Sequence, residues 1–130
     1  MGLDQELAGL LVVSMEQAVA APYCGLMLAD AGARVIKVER KEGDFARGYD
    51  RGASGNSVFF SWLNRGKESV TLDLNIDDDE ALLRSMLKEA DVFLHNLAPG
   101  SLARRGFGGD ALREHNPELI TCEINGYGST

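Results

Sequence analysis

The stretch from Pro22 to Gly48, PYCGLMLADAGARVIKVERKEGDFARG, constrains the fold more than any other part of the chain. Pro22 suits the first turn of a helix, which continues through Leu26, Met27, Leu28 and Ala31 and stops at Gly32. Arg34 to Glu39 then reads as a strand, with Val35, Ile36 and Val38 in a sheet and Arg40 delivered at its carboxyl end. Upstream, Leu10 to Val13 is a short continuous apolar run, as expected for a strand buried on both faces. Strand, helix and strand in this order predict a crossover unit, whose two strands lie parallel in one sheet.

The pattern repeats. Ser69 to Leu74 alternates, with Val70, Leu72 and Leu74 on one side. Asp77, Asp78 and Asp79 open a helix whose Leu82, Leu83, Met86, Leu87 and Ala90 form one apolar stripe. Val92 to Leu94 is the next strand, ending at His95-Asn96. Pro99-Gly100 turns the chain into a short basic helix holding Arg104 and Arg105. A short helix from Asp110 to His115 leads to a last strand, Leu119 to Ile124. The fold class expected is α/β, a Rossmann-like parallel sheet with flanking helices. Lys41 to Ser57 is a long polar loop, of the kind that is functional or disordered. Phe59, Phe60, Trp62 and Leu63 after it read as a short helix that covers something.

Charge narrows the function. The 130 residues carry a net charge of -7, which argues against nucleic acid or an anionic membrane as partner. Yet residues 1–33 hold no Lys or Arg, and 8 of the 13 basic residues fall between Arg34 and Lys67. Ligands of open α/β sheets bind outside the carboxyl ends of strands. Arg40, Lys41, Arg47 and Arg51 gather at such an end, so an anion is the ligand expected there; a solvated basic face is the other reading.

Several site types are excluded or weakened. The place of a GxGxxG fingerprint after the first strand holds SMEQAVAA, without glycine, so Glu39 alone is a weak sign of a dinucleotide. Gly66-Lys67 lacks the upstream glycine of a phosphate loop and is followed by Glu68. Cys24 and Cys122 lie far apart with no CxxC, which fits a reducing cytoplasm and argues against a disulfide scaffold or a metal site. No apolar run is long enough for a membrane span, and Glu6 makes Met1-Gly2 a poor myristoylation signal. His95 is read as a satisfied polar residue or a general acid-base, and Cys24 as a small buried residue.

The ordered set Gly9, Pro22, GARVIKVER (32–40), Gly43-Asp44, Arg47, Asn64-Arg65-Gly66-Lys67, LDL (72–74), ADV (90–92), Asn96-Leu97-Ala98-Pro99-Gly100 and Gly126-Tyr127-Gly128 resembles the family III CoA-transferases. That family includes formyl-CoA transferase, carnitine CoA-transferase and 2-methylacyl-CoA racemase. The resemblance implies a larger fold that forms an interlocked homodimer, of which residues 1–130 are the amino-terminal part of the large CoA-binding domain. It implies transfer of CoA between carboxylic acids through an aspartate nucleophile lying past Gly126-Tyr127-Gly128, beyond Thr130. No catalytic residue is therefore assigned within the chain, and the chain alone is expected to be inactive. EQAVAAPYC and GDFARGYD are most similar to members acting on small dicarboxylic acyl groups. A racemase, or a non-catalytic CoA-binding or assembly module, are the alternatives.

The resemblance also implies site residues. Val19 and Ala20 lie beside coenzyme A, or simply pack a helix start. Arg40 meets a phosphate, the alternative being a surface arginine paired with Glu42 or Asp44. Leu72 and Asp73 contact the adenine, or make a plain strand-end turn. Asn75 stands where relatives often carry Lys. Asn96, Leu97 and Ala98 form a loop against the cofactor, and Arg104 is the second phosphate ligand, with Arg105 an ambiguous neighbour. Gln17 and Arg47 line the acyl pocket, or are a solvent-facing amide and a loop cation. Acyl-CoA and a small carboxylic acid are the partners implied, with no metal.

Overall fold

The computed structural model describes residues 5–52 and 54–128. The readings made on Met1-Gly2 and on the last two residues lie outside these. Five strands pair in one parallel sheet: β1 (Leu11–Met15), β2 (Arg34–Glu39), β3 (Glu68–Thr71), β4 (Val92–His95) and β5 (Ile120–Glu123). Their order is β3-β2-β1-β4-β5. Helices α1 (Ala20–Asp30), α2 (Val58–Asn64), α3 (Asp77–Glu89) and α4 (Gly109–Arg113) form the crossovers.

The alternation of the central strands decides which helix covers which face. Val12, Val35 and Leu94 point to one side and pack with Ala21, Cys24, Leu28 and Ala29 of α1. Val13, Val38 and Phe93 point to the other and pack with Leu83 and Leu87 of α3, Phe107 and Leu112. The sheet is thus buried on both faces, which is why β1 reads as an unbroken apolar run. Burying α3's Leu83 and Leu87, each at most 2 % exposed, supplies about 2 kcal/mol apiece.

Several elements begin or end a residue or more from the sequence expectation, and three differences have a local reason. β1 runs on to Met15, because Met15 still pairs with His95 of β4. β3 stops at Thr71 instead of Leu74. As an edge strand it has one partner, and β2 ends at Glu39, whose carbonyl accepts a last bond from Leu72 N–H. The Asp79 carboxylate then accepts from Asp73 N–H at 2.8 Å, and Asp73 from Asn75 N–H, turning the chain out of the sheet. Leu72 and Leu74 nonetheless face the α3 side with Val70, as the alternation predicts. The loop after β2 is not structureless: Asp44 caps a 3-10 turn over Phe45–Gly48, Ser57 caps α2, and Asp50 accepts from that helix's first two amides. The Gly52, Val58 and Phe59 amides and the Ser57 hydroxyl hold the Asp50 carboxyl at about 2.

Tyr23, Trp62, Phe59 and Tyr49 form a string of ring contacts along the outer side of α1 and α2, with Tyr23, Trp62 and Tyr49 about half exposed. Among the described residues no helix is long and apolar enough to cross a membrane.

Candidate ligand-binding site

Strand order reverses between β1 and β4, so the loops after these two strands flank the crevice where doubly wound folds take ligands. The β1–α1 loop is pinned there from three sides. Asn96 holds both groups of the Gln17 main chain: its Oδ1 accepts from Gln17 N–H at 2.9 Å and its Nδ2 donates to the Gln17 carbonyl at 2.8 Å. Asp44 Oδ1 accepts from Ala18 N–H at 2.9 Å. Ala18 itself is left-handed, with φ 62°, a conformation costing a non-glycine residue on the order of 1–2 kcal/mol. Surrounding structure must hold it in place.

The third anchor is a buried charge network that sequence reading missed. Glu16 accepts from Ser14 Oγ at 2.6 Å and pairs with Lys67, which also donates to the Pro22 carbonyl at 2.8 Å. Lys37, 1 % exposed, lies 2.7 Å from Asp44 Oδ2 and 3.5 Å from Glu16 Oε1. Glu39 accepts from Arg47 at 2.6 and 2.8 Å, from Asp44 N–H at 3.0 Å and from Ser69 Oγ at 2.9 Å. Three carboxylates thus meet three cations. Burial pushes the Glu39 carboxyl up, but Arg47, the Asp44 amide and Ser69 together outweigh it and hold it at about 2. Burial lowers the Lys67 ammonium, with Glu16 opposing. The available signal was Lys37 itself, a charge in the middle of the apolar strand RVIKVE and on the same side as Val35 and Glu39.

Helix α1 passes this network closely. A Cβ on Gly25 would stand 2.5 Å from Glu16 Oε2 and 3.1 Å from Lys67 Nζ. Alanine elsewhere in a helix gains about 1 kcal/mol over glycine, whereas overpacking costs about 1–3 kcal/mol. Because Ser14 and Lys67 lock the Glu16 carboxylate, the clash dominates. Gly25→Ala is expected to lose about 1–2 kcal/mol in urea denaturation; a net gain would show that the ion pair yields.

Arg40 leaves the end of β2 exposed, stacked 4.1 Å over the Phe45 ring, with Nε donating to the Gly43 carbonyl at 3.0 Å. Asp44, one of the two acids that the sequence offers it, is taken by Lys37. Among the described residues no carboxylate pairs with Arg40, whereas Arg34, Arg47, Arg65, Arg84 and Arg113 each have one. Arg40, with Met15, Val38 and Glu39, forms the shared wall of two cavities of about 300 Å³ each. The inner one reaches Gln17, Gly43 and Leu97 at the crevice. The outer one reaches Lys41, Leu72, Asp73 and Asn75 at the sheet's edge.

Of the residues singled out in the sequence, Gln17, Arg40, Leu72, Asp73 and Leu97 are brought together around these cavities. Asn96 spends its amide on the Gln17 main chain, so it shapes the site by holding that loop. Val19, Ala20 and Ala98 are exposed and line neither cavity. Arg47 also lines neither; it clasps Glu39 and stacks 3.9 Å over Phe60. Arg104 and Arg105 diverge on their 3-10 turn. Arg104 is exposed over Gly100, while Arg105 reaches back to the β3–α3 loop.

His95 faces a separate cavity of about 130 Å³ with Gly100, Phe107, Thr121 and Glu123. Its Nδ1 is buried with no partner among the described residues, and Nε2 stands 3.9 Å from Glu123 Oε2. Burial lowers its pKa, with Glu123 opposing. Burial, Cys122 and Glu16 push the Cys24 thiol up, against Lys67, which suits a packing role.

Comparison with known proteins agrees with this geometry. Residues 7–130 match CoA-transferase family III. The chain is 41 % identical over 127 residues to a succinyl-CoA:mesaconate CoA-transferase of Haloarcula hispanica, covering 94 % of this chain and 32 % of that protein. It is 39 % identical over 123 residues to an acetyl-CoA:oxalate CoA-transferase of Acetobacter aceti, with 94 % and 32 % covered. A crystal structure of a CAIB/BAIF family protein from Brucella suis superposes with a TM-score of 0.91 at 37 % identity, over 97 % of this chain and 35 % of that one. The chain spans about a third of the length of the relatives it matches. An all-parallel sheet in this order, a glycine-free β1–α1 loop and, at the end of β2, an arginine without a carboxylate partner among the described residues are thus found in a chain that belongs to CoA-transferase family III.

Proposed function

We propose that the chain is the coenzyme A-binding, amino-terminal part of an acyl-CoA:carboxylate CoA-transferase acting on small dicarboxylic acyl groups. One observation carries the reading: Arg40, free of any carboxylate among the described residues, lines both of two adjoining cavities at the carboxyl ends of the strands. An elongated ligand with phosphates near its middle suits that layout. A guanidinium presents a planar fork of donors to phosphate oxygens, and stacking on Phe45 orients it. The inner cavity, beside Gln17 and Leu97, takes the pantetheine and acyl end; the outer, beside Leu72 and Asp73, takes the nucleotide. Relatives named for succinyl, mesaconate, glutarate and oxalate groups support the small-diacid assignment.

In this reading the chain's residues bind and orient, and the carboxylate nucleophile lies past Thr130. The β1–α1 loop, pinned by Asn96 and Asp44, holds Gln17 at the acyl end. The half-exposed aromatic string on α1 and α2 supports a further assembly, the interlocked homodimer of the whole protein.

Calorimetric titration with coenzyme A tests the site. Losing a charge-assisted bond to phosphate costs about 1.5–3 kcal/mol. Arg40→Ala is therefore expected to weaken binding by roughly 10- to 100-fold. An unchanged Kd removes the phosphate assignment.

A further inference from the structure

We infer that Arg105 is the residue that selects the ribose 3′-phosphate of coenzyme A over its dephosphorylated form. This rests on the coenzyme A reading of the Arg40 site. Arg105 crosses from its 3-10 turn to the loop after β3. Nη1 donates to the Leu74 carbonyl and Nη2 to Asn75 Oδ1, each at 2.8 Å. Both acceptors belong to residues lining the outer cavity. Its main chain is held as well, since Arg84 of α3 donates to the Arg105 carbonyl at 3.0 Å and is itself paired with Glu80. The guanidinium is therefore fixed at both ends, exposed, and bonded to no carboxylate among the described residues.

In an acidic chain, a fixed arginine left without a carboxylate calls for an anionic partner. Neutral acceptors, a carbonyl and an amide oxygen, brace Arg105 without cancelling its charge, and Nε keeps a donor free. Position decides which phosphate it meets. Arg40 stands between the cavities, where the diphosphate passes, while Leu74 and Asn75 lie only on the outer cavity, away from Gln17. The ribose monophosphate is the anionic group at that outer end. Glu39, Glu42 and Asp73 line this cavity and oppose an anion. Arg47 already neutralises Glu39, and Arg40 and Lys41 offset the other two, so Arg105, beside the lining at Leu74 and Asn75, tips the balance toward positive.

The test is calorimetry on the full chain with coenzyme A, 3′-dephospho-coenzyme A and pantetheine. Arg105→Ala is expected to weaken coenzyme A about tenfold and leave 3′-dephospho-coenzyme A within about twofold. Arg105→Lys keeps the charge and is expected to recover most of the preference. Arg40→Ala, by contrast, weakens both nucleotides, and neither variant changes pantetheine. Equal loss for both nucleotides in Arg105→Ala, or loss for neither, overturns the assignment while the coenzyme A site stands. Failure of either nucleotide to bind the unsubstituted chain overturns the coenzyme A reading, and this inference with it. The Arg105→Ala side chain is at the surface, and an unchanged melting temperature shows that any loss is local.

Discussion

Lys37→Met is expected to cost about 3–5 kcal/mol of stability, the largest effect of any single change considered. The ammonium is 1 % exposed and lies 2.7 Å from Asp44 and 3.5 Å from Glu16. Methionine fills nearly the same volume, so the cost comes from charge. Asp44 would remain buried at 7 % exposure with its cation gone, and removing one partner of a buried pair costs more than the pair contributed. The double variant Lys37→Met, Asp44→Asn discriminates this from loss of packing. Asparagine keeps the Oδ1 that accepts from Ala18 and Ala46 and removes the stranded charge. It should regain more than half of the loss, read as the shift of the urea midpoint at constant slope. A single-variant loss below about 1 kcal/mol, or no recovery in the double, would refute the account.

The second large effect is an acid limb governed by Glu39. Its carboxyl sits at about 2 in the folded chain against an ordinary 4.5. A depressed carboxyl adds stability that is fully present above the unfolded value and is lost as pH falls toward the folded one. The shift corresponds to on the order of 3 kcal/mol, lost between about pH 4.5 and pH 2. Glu39→Gln should lower stability at pH 7 and flatten the curve across that window. Asp50, also held near 2, contributes in the same window and on the same side, so the flattening is partial. A Glu39→Gln curve parallel to the parent's below pH 4.5 would show that the carboxyl is not the group titrating.

Most of the fold was legible because each strand advertises itself locally. Val12 and Val13 are buried on opposite faces of the sheet, and Gly32 stops α1 where the sequence says it should. The end of β3 was not legible, because it depends on where its one neighbour stops. The site divides the same way. Arg40 follows from its place at a strand end. That it is free of Glu42 and Asp44 does not, since Asp44 is removed from it by Lys37 on the same stretch of chain. Lys67 reaches Glu16 across 51 residues, a pairing that no local pattern announces. Arg104 and Arg105 are adjacent and chemically equal in the sequence; only the 3-10 turn decides which one reaches Asn75.

Asn96 ties up both the N–H and the carbonyl of residue 17. The main chain of residue 17 is thereby spent within the fold, and its side chain is the part left to face the inner cavity. The segment is a fixed mount with an exchangeable tip. A substitution at residue 17 changes what the inner cavity meets and leaves the frame beneath it alone.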